Sequence, residues 1–257
     1  MRRVGYRSLY QFDKLTKSNS GVYVLCYHSF ADDSWRYSVS LKRLREQIAF
    51  LKKEGYKFVT LDDINDYINK KKSLPSKSIA ITVDDGYQDV LKAVGLFKRE
   101  KFLPTLFMVS EPQNVNRQEL NSNKKLLSTT ELRYLQSQGW EIGVHSATHS
   151  DLVKTSIKNL HTEIVTAKKK LEKVLGRKVK YFAYPFGSYN NNVLKKVSEG
   201  GYRMAVSMDD RMVLPGIDTL TVPRLEVNNT YSLSEFKTIF SPSVISVRRN
   251  IRRLIGL

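Results

Sequence analysis

The run Ile79-Ala80-Ile81-Thr82-Val83 passes directly into Asp84-Asp85-Gly86-Tyr87, and this junction narrows the choice of folds more than any other stretch of the chain. Five mostly apolar residues, rich in β-branches, predict a buried strand; two carboxylates and a glycine predict that it ends in a tight polar turn. In a barrel of parallel strands the chemistry gathers at such carboxyl ends. Two acids placed there can divide the work, one holding a metal and the other moving a proton. Asp-Asp-Gly is also an ordinary turn, because Asp hydrogen-bonds its own backbone and glycine accepts positive φ. Taken alone, the motif fits either reading.

A second cluster favours the chemical one. Trp140-Glu141-Ile142-Gly143-Val144 is again strand-like, and it ends in His145-Ser146-Ala147-Thr148-His149, which holds two of the four histidines. A single helical turn or a compact loop brings residues four apart to one side, so both imidazoles can reach one ion. A lone histidine is more often structural than a ligand. This pair, however, follows the diacid strand by a length suited to a crossover, which supports a metal site.

Around these two strands the pattern alternates. Strands are predicted over 21–27, 56–61, 104–110, 179–184, 203–207 and 219–222. Helices are predicted from Ser40 to Gly55, from Thr60 or Asp62 to about Lys71, over 88–101, from Ser128 or Thr129 to Gly139, over 159–175 and over 190–199. Such alternation predicts an α/β barrel, and 257 residues are enough for one core of that kind. The polar segment 111–125 has no periodicity and reads as a long loop beside the groove. Trp35 lies in a loop on the same rim as His28, suited either to stacking on a ligand or to anchoring the loop. His161 reads as an exposed bystander.

Three segments follow from this reading: a basic arm or short surface helix over 1–20, the barrel over 21–240, and a basic amphipathic helix over 241–257. In the last, Val244, Val247, Ile251, Leu254 and Ile255 share one face, while Arg248, Arg249, Arg252 and Arg253 lie mostly on the other. That helix suits an anionic membrane surface, or it packs on the barrel with its arginines outward. Forty-three Lys and Arg against 25 Asp and Glu give a net charge of +18, which favours acidic partners. No zinc-finger, homeodomain or RNA-recognition signature accompanies the charge, so specific nucleic-acid binding is not expected. The single cysteine, Cys26, allows no intrachain disulfide and reads as a small buried side chain. Met1-Arg2-Arg3 is not followed by an apolar run of signal-peptide length, and no stretch reads as a membrane span. The expected location is therefore cytoplasmic, with peripheral contact at the inner face of the membrane as one option.

These motifs together resemble the polysaccharide deacetylases of carbohydrate esterase family 4, the NodB-homology group. Thr82 to Tyr87 is similar to the family's first motif and His145 to His149 to its second. Phe182-Ala183-Tyr184-Pro185-Phe186-Gly187 is similar to the proline segment that lines the active groove. The family's general-acid histidine normally lies near the carboxyl end, and no histidine follows His161 here. Val24-Leu25-Cys26-Tyr27-His28-Ser29 instead resembles the rearranged branch typified by the poly-N-acetylglucosamine deacetylases, in which that strand comes first. The resemblance spans about residues 21 to 240 and implies a distorted (β/α) barrel of the NodB-homology type with the general-acid strand at the amino terminus.

The resemblance also implies roles. Asp85, His145 and His149 would hold a divalent metal, with zinc preferred and nickel, cobalt or iron able to accept the same ligands. Asp84 would be the base, His28 the acid, and the Phe186 backbone N–H an oxyanion donor. The common form carries an arginine upstream of the proline; Tyr181-Phe182-Ala183-Tyr184 offers none. Arg224 resembles an arginine near the end of the rearranged branch and would orient the catalytic centre, with an ordinary surface arginine as the alternative. The implied activity is metal-dependent removal of acetyl from an N-acetylated sugar, either polymeric or lipid-linked. A non-sugar C–N hydrolase and a non-catalytic carbohydrate-binding protein are the competing readings.

Overall fold

The computed structural model describes residues 2–16, 21–115, 120 and 123–254. Residues 17–20 of the amino-terminal segment, 116–119 and 121–122 of the long polar loop, and Ile255 of the terminal stripe lie outside them. Strand β1 (Gly21–Tyr27) runs beside β3 (Lys77–Val83) along its whole length, in parallel register from Gly21–Lys77 to Tyr27–Val83. The opposite edge of β3 is shared. Its amino-terminal half pairs with the short β2 (Lys57–Phe58), and its carboxyl end pairs with β4 (Thr105–Met108). β5 (Glu141–Val144), β6 (Tyr181–Ala183) and β7 (Met204–Val206) continue the wall, and β8 (Leu225–Glu226) flanks β1. The strand order is β7-β6-β5-β4-β3-β1-β8, every described ladder is parallel, and the sheet curls into a half-barrel with flanking helices.

The alternation of side chains along each strand decides what lies inside. Val22, Val24, Ala80, Phe107, Ala183 and Met204 cluster with Leu61, Ile64 and Ile68 of α3 (Leu61–Ile68). The opposite row, Tyr23, Leu25, Ile79, Ile81 and Val83, joins the outer helices, including α2 (Leu41–Lys53), α4 (Val94–Glu100) and α5 (Thr129–Ser137). Continuing the inner row by twos brings Cys26 on β1, and Thr82 and then Asp84 on β3, to the carboxyl end of the interior. The first acid is thereby assigned to the inside before any partner is considered.

Local signals placed most helix starts. Ser40 caps α2, while Thr60 with Asp63 and Ser128 with Glu131 form reciprocal capping boxes on α3 and α5. Other elements differ from expectation. The segment 219–222 forms only a single bridge, Val206 with Val222, and the strand that flanks β1 is Leu225–Glu226. Pro223 has no N–H for a ladder, so the chain can extend the sheet only beyond it. The helix expected over 159–175 contains a wide π-type turn at His161–Thr166 between α6 (Ile157–Leu160) and α7 (Ala167–Leu175). His161 is exposed, as expected. Helix α8 (Asn191–Glu199) matches its prediction, whereas α9 (Leu233–Thr238) was not foreseen.

The amino-terminal segment is a helix rather than a loose arm: α1 (Arg2–Leu15) packs against α9 and α10 (Pro242–Leu254). Asp13 is buried at this junction, where its carboxylate accepts from the Ser243 N–H at 3.0 Å, the Ser243 hydroxyl at 2.7 Å and the Ser241 hydroxyl. α10 rests on the body through Val244 and Ile245. The outward placement of Arg248 is corrected. Its side chain turns inward to the buried Asp210, 3.2 Å away, because a buried carboxylate with no cation nearby would be costly.

Candidate active site

Because Tyr27 and Val83 are in register, the residues that follow them, His28 and Asp84, leave adjacent strand ends. The Asp84 N–H donates to the Tyr27 carbonyl at 2.9 Å, which locks the two ends together. Backbone direction then separates the two acids. Asp84 continues the inward row, whereas Asp85 has φ +70°, which swings its carboxylate toward the histidine loop. Gly86, at φ +81°, completes the turn, and a Cβ there would collide with the Met108 sulfur.

Asp84 faces a guanidinium. Arg224 is fully buried, so the surface alternative for it does not hold. Its two terminal nitrogens donate to the two Asp84 oxygens at 2.7 Å each, one of them also to the Thr82 hydroxyl at 3.0 Å, and its Nε donates to the Ser207 carbonyl at 3.1 Å. This fork-to-fork pairing is the strong, planar arrangement of arginine with carboxylate. The Cys26 thiol donates to Asp84 Oδ2 at 3.3 Å. Burial pushes the Asp84 carboxyl up, but the Arg224 and His145 charges outweigh it and hold the group below the usual range. Burial also pushes the Cys26 thiol well up, keeping it a thiol.

Asp85 faces imidazoles. Its Oδ1 lies 3.3 Å from Nε2 of both His145 and His149, and all three side chains are buried. One donor atom from each lies within 4.8 Å of the others. His145 Nδ1 is 2.8 Å from the Ala183 carbonyl, which can only accept. Nδ1 therefore carries the hydrogen, and in the neutral ring Nε2 presents a lone pair to the Asp85 oxygen. A carboxylate oxygen and an imidazole lone pair repel unless a cation or proton lies between them. The donor set, one carboxylate and two imidazoles with the backbone holding the ring orientation, fits a divalent transition metal. Burial works against Asp85 ionisation, yet in the metal-free site His145 and His149, when their Nε2 atoms carry protons, together with the charge of His28, hold its carboxyl well below the usual range.

His28 is half-buried, its ring 4.8 Å from that of Tyr37, and its Nδ1 is buried with no hydrogen-bond partner among the described residues. A ring nitrogen of it lies within 4.8 Å of the Asp84 carboxylate and the Cys26 sulfur. Trp35 packs edge-on against Tyr37 and Tyr87, which makes it an anchor of this rim. Phe186, 52% exposed, sits at φ +60° in the turn Pro185–Gly187, its ring edge-on to His149 at 4.9 Å. Asp85, Ser146, His149 and Phe186 all have positive φ. For residues other than glycine each such conformation costs on the order of 1–3 kcal/mol, and such strain gathers where side chains must be aimed.

The structure thus brings together all seven residues singled out in the sequence. It adds three that were not. Cys26 was read as filler, although its inward parity with Val22 and Val24 was a usable signal. Asp89 accepts from the Ser29 hydroxyl at 2.6 Å and the Phe30 N–H at 3.0 Å, bracing the strand end that carries His28. Glu163 accepts from the N–H groups of Ala147 and Thr148, inside the histidine loop, at 3.0 Å each. An acid on the apolar stripe Leu160, Ile164, Ala167, Leu171 of a net-basic helix was the available signal.

Residues 71–205 match the family model described as polysaccharide deacetylase. The poly-beta-1,6-N-acetyl-D-glucosamine N-deacetylase of Staphylococcus aureus is 26% identical over 230 residues, covering 85% of this chain and 77% of that protein. A polysaccharide deacetylase from Bacillus cereus superposes with a TM-score of 0.71 at 26% identity, covering 86% of this chain and 69% of the other. IcaB from Ammonifex degensii, at 24% identity, shares the fold with a TM-score of 0.75 over 86% of this chain and 97% of its own. His28 and Arg224 fall outside the matched span, but the two motifs that open the sequence argument lie within it. The span exceeds half of the sequence, and this chain belongs to the polysaccharide deacetylase family.

Proposed function

We propose that this protein is a metal-dependent hydrolase that removes the acetyl group from an N-acetylated amino sugar of a saccharide. One observation carries the reading: two consecutive aspartates are directed to opposite partners, Asp84 to a guanidinium and Asp85 to two imidazoles. A site needs that division if one carboxylate is to remain free of the metal. Asp85, His145 and His149 are assigned as ligands, with zinc the preferred ion. When bound, the ion supplies Lewis-acid chemistry, acidifying a water and polarising the acetyl carbonyl.

The chain's own groups do the rest. Asp84 takes the proton from the attacking water; Arg224 fixes the plane of its carboxylate and keeps it ionised. The Phe186 N–H is assigned to the developing oxyanion, and a main-chain donor tolerates any side chain at that position. An amide nitrogen leaves poorly unless protonated, so the reaction needs an acid on its leaving-group side. His28, on the strand end next to Asp84, is assigned that role, and Asp89 braces its segment. The products are acetate and a free amine.

The substrate reading rests on the S. aureus relative, whose name specifies a poly-β-1,6-linked N-acetylglucosamine. An oligomer of that sugar is the first substrate to test; a lipid-linked saccharide is the second. Peripheral contact with an anionic membrane is supported by charge. Outside Asp13, which faces inward, α1 and α10 contain no acid. No described helix is long and apolar enough to cross a membrane.

The deciding experiment measures acetate release from β-1,6-linked N-acetylglucosamine oligomers by metal-stripped protein, with and without added zinc, alongside Asp84→Asn. The expected outcome is zinc-dependent release that falls at least about 100-fold in the variant. Equal release by wild type and variant would sink the assignment of Asp84. Failure to bind any divalent ion would sink the metal reading.

A further inference from the structure

The loop between the two metal-directed histidines is strained and must be held from outside. Ser146 has φ +60° and His149 +63°, conformations that these residues adopt only at a cost. On its carbonyl side the loop is tied to the segment after β4: Ser110 and Glu111 N–H groups donate to the carbonyls of Ser146 and Ala147 at 3.1 and 2.9 Å. On its amide side the His145 N–H donates to the Met108 carbonyl and the His149 N–H to the Ser146 hydroxyl, at 2.9 Å each, and one carboxylate takes two of the amides between them. Glu163 Oε2 accepts from the Ala147 and Thr148 N–H groups at 3.0 Å each, and its Oε1 accepts from the Thr148 hydroxyl at 2.8 Å. Glu163 is buried, and the π-type turn from which it reaches the loop is a helix irregularity often found at functional sites.

Resting on the metal assignment above, we propose that Glu163 is a positioning residue for the metal centre: its carboxylate shapes the His145–His149 loop and thereby sets the affinity for the divalent ion. Two physical effects act together. Charge-assisted hydrogen bonds are roughly twice as strong as neutral ones, so a carboxylate fixes the strained backbone more firmly than an amide would. It also adds negative charge where little is left over, since Asp84 is already paired with Arg224 and only Asp85 faces the ion. Groups that orient metal ligands without touching the metal commonly contribute about 10–100-fold to affinity.

The test compares wild type, Glu163→Gln and Glu163→Ala, each stripped of metal. Zinc affinity is measured by chelator competition, and thermal unfolding of the metal-free forms is followed in parallel. The expected result is zinc binding weakened roughly 10–100-fold in Glu163→Gln and further in Glu163→Ala, in the order wild type, Gln, Ala. Metal-free Glu163→Gln should melt within a few degrees of wild type, so the loss is read at the metal. If Glu163→Ala fails to fold, the Gln variant decides. Wild-type zinc affinity in Glu163→Gln, with only its melting temperature lowered, would overturn the proposal and leave a structural role. A wild type that binds no zinc would overturn the metal assignment and this inference with it, a result distinct from the preceding one.

Discussion

Asp84 and Asp85 are the same residue type one peptide apart, both buried, yet the protein treats them as opposites. Asp84 is neutralised within the fold by a fully buried arginine that donates to both of its oxygens. Asp85 meets the Nε2 atoms of two imidazoles. Burying an unpaired carboxylate is expensive: Asp84 has its cation within the fold, whereas for Asp85 the proposed function supplies one from solution. The switch between these fates is a single backbone angle, φ +70° at Asp85. Chemically identical neighbours acquire different roles because the turn aims one into the half-barrel and the other across its mouth.

Removing the internal cation should have the largest effect. Arg224→Met leaves Asp84 buried and uncompensated, and loss of one member of such a pair costs about 3–5 kcal/mol. Urea denaturation of metal-free protein should show this loss, and Asp84→Asn on the same background should recover part of it. A cost below about 1 kcal/mol would mean that the pair is not the internal neutralisation described.

The external counterpart comes next. Asp85→Asn should weaken zinc binding by more than the roughly 10–100-fold typical of outer-shell changes. In wild type, added zinc should raise the melting temperature, as any ligand of the native state does, and in the variant it should not. If both proteins gain equally, Asp85 is not a ligand and the contrast with Asp84 fails.

A third buried carboxylate sharpens the scale. Among the described residues Asp13 is paired with neither an arginine nor an imidazole; it is held by Ser241 and Ser243 at the start of α10. Burial pushes its carboxyl up, and these hydrogen bonds outweigh that and lower it below the ordinary value. A lowered folded-state pKa adds stability that is complete above the unfolded value of about 3.9 and is lost as pH falls through the folded value. Asp13→Asn should therefore cost about 1–2 kcal/mol at pH 7 and should flatten the acid limb of stability below about pH 4. An unchanged acid limb would assign that limb to other carboxylates.

The smallest effect is expected at the exposed rim. Phe186→Ala retains the main-chain N–H assigned to the oxyanion and removes a ring that is half in solvent, so kcat for acetate release should change less than about tenfold. A loss comparable to that of Asp84→Asn would place the side chain, rather than the backbone, at the reacting group.

The sequence by itself determined where the strands end and which residues stand there. β1 and the β3 terminus follow from apolar runs broken by polar turns, and helix starts at Ser40, Thr60 and Ser128 follow from caps whose hydrogen bonds are local. The diacid and the two histidines were legible because each motif stands at the carboxyl end of a parallel strand of one sheet, β3 and β5, with β4 between them. Contacts that span long stretches of chain were not legible. Arg224 could be named as an orienting residue only by resemblance; that it is buried and bonded to Asp84 was decided by the closing of the half-barrel, which brings residues 140 apart into contact. Arg248 was placed on an outer face by periodicity, but a buried Asp210 that no local pattern reveals drew it inward. Glu163 lay on the apolar stripe of its helix, and only the tertiary structure supplied the strained histidine loop that accounts for a carboxylate there. Periodicity and capping are set within a few residues, whereas the partner of a buried charge is chosen by whatever the fold brings within hydrogen-bonding distance.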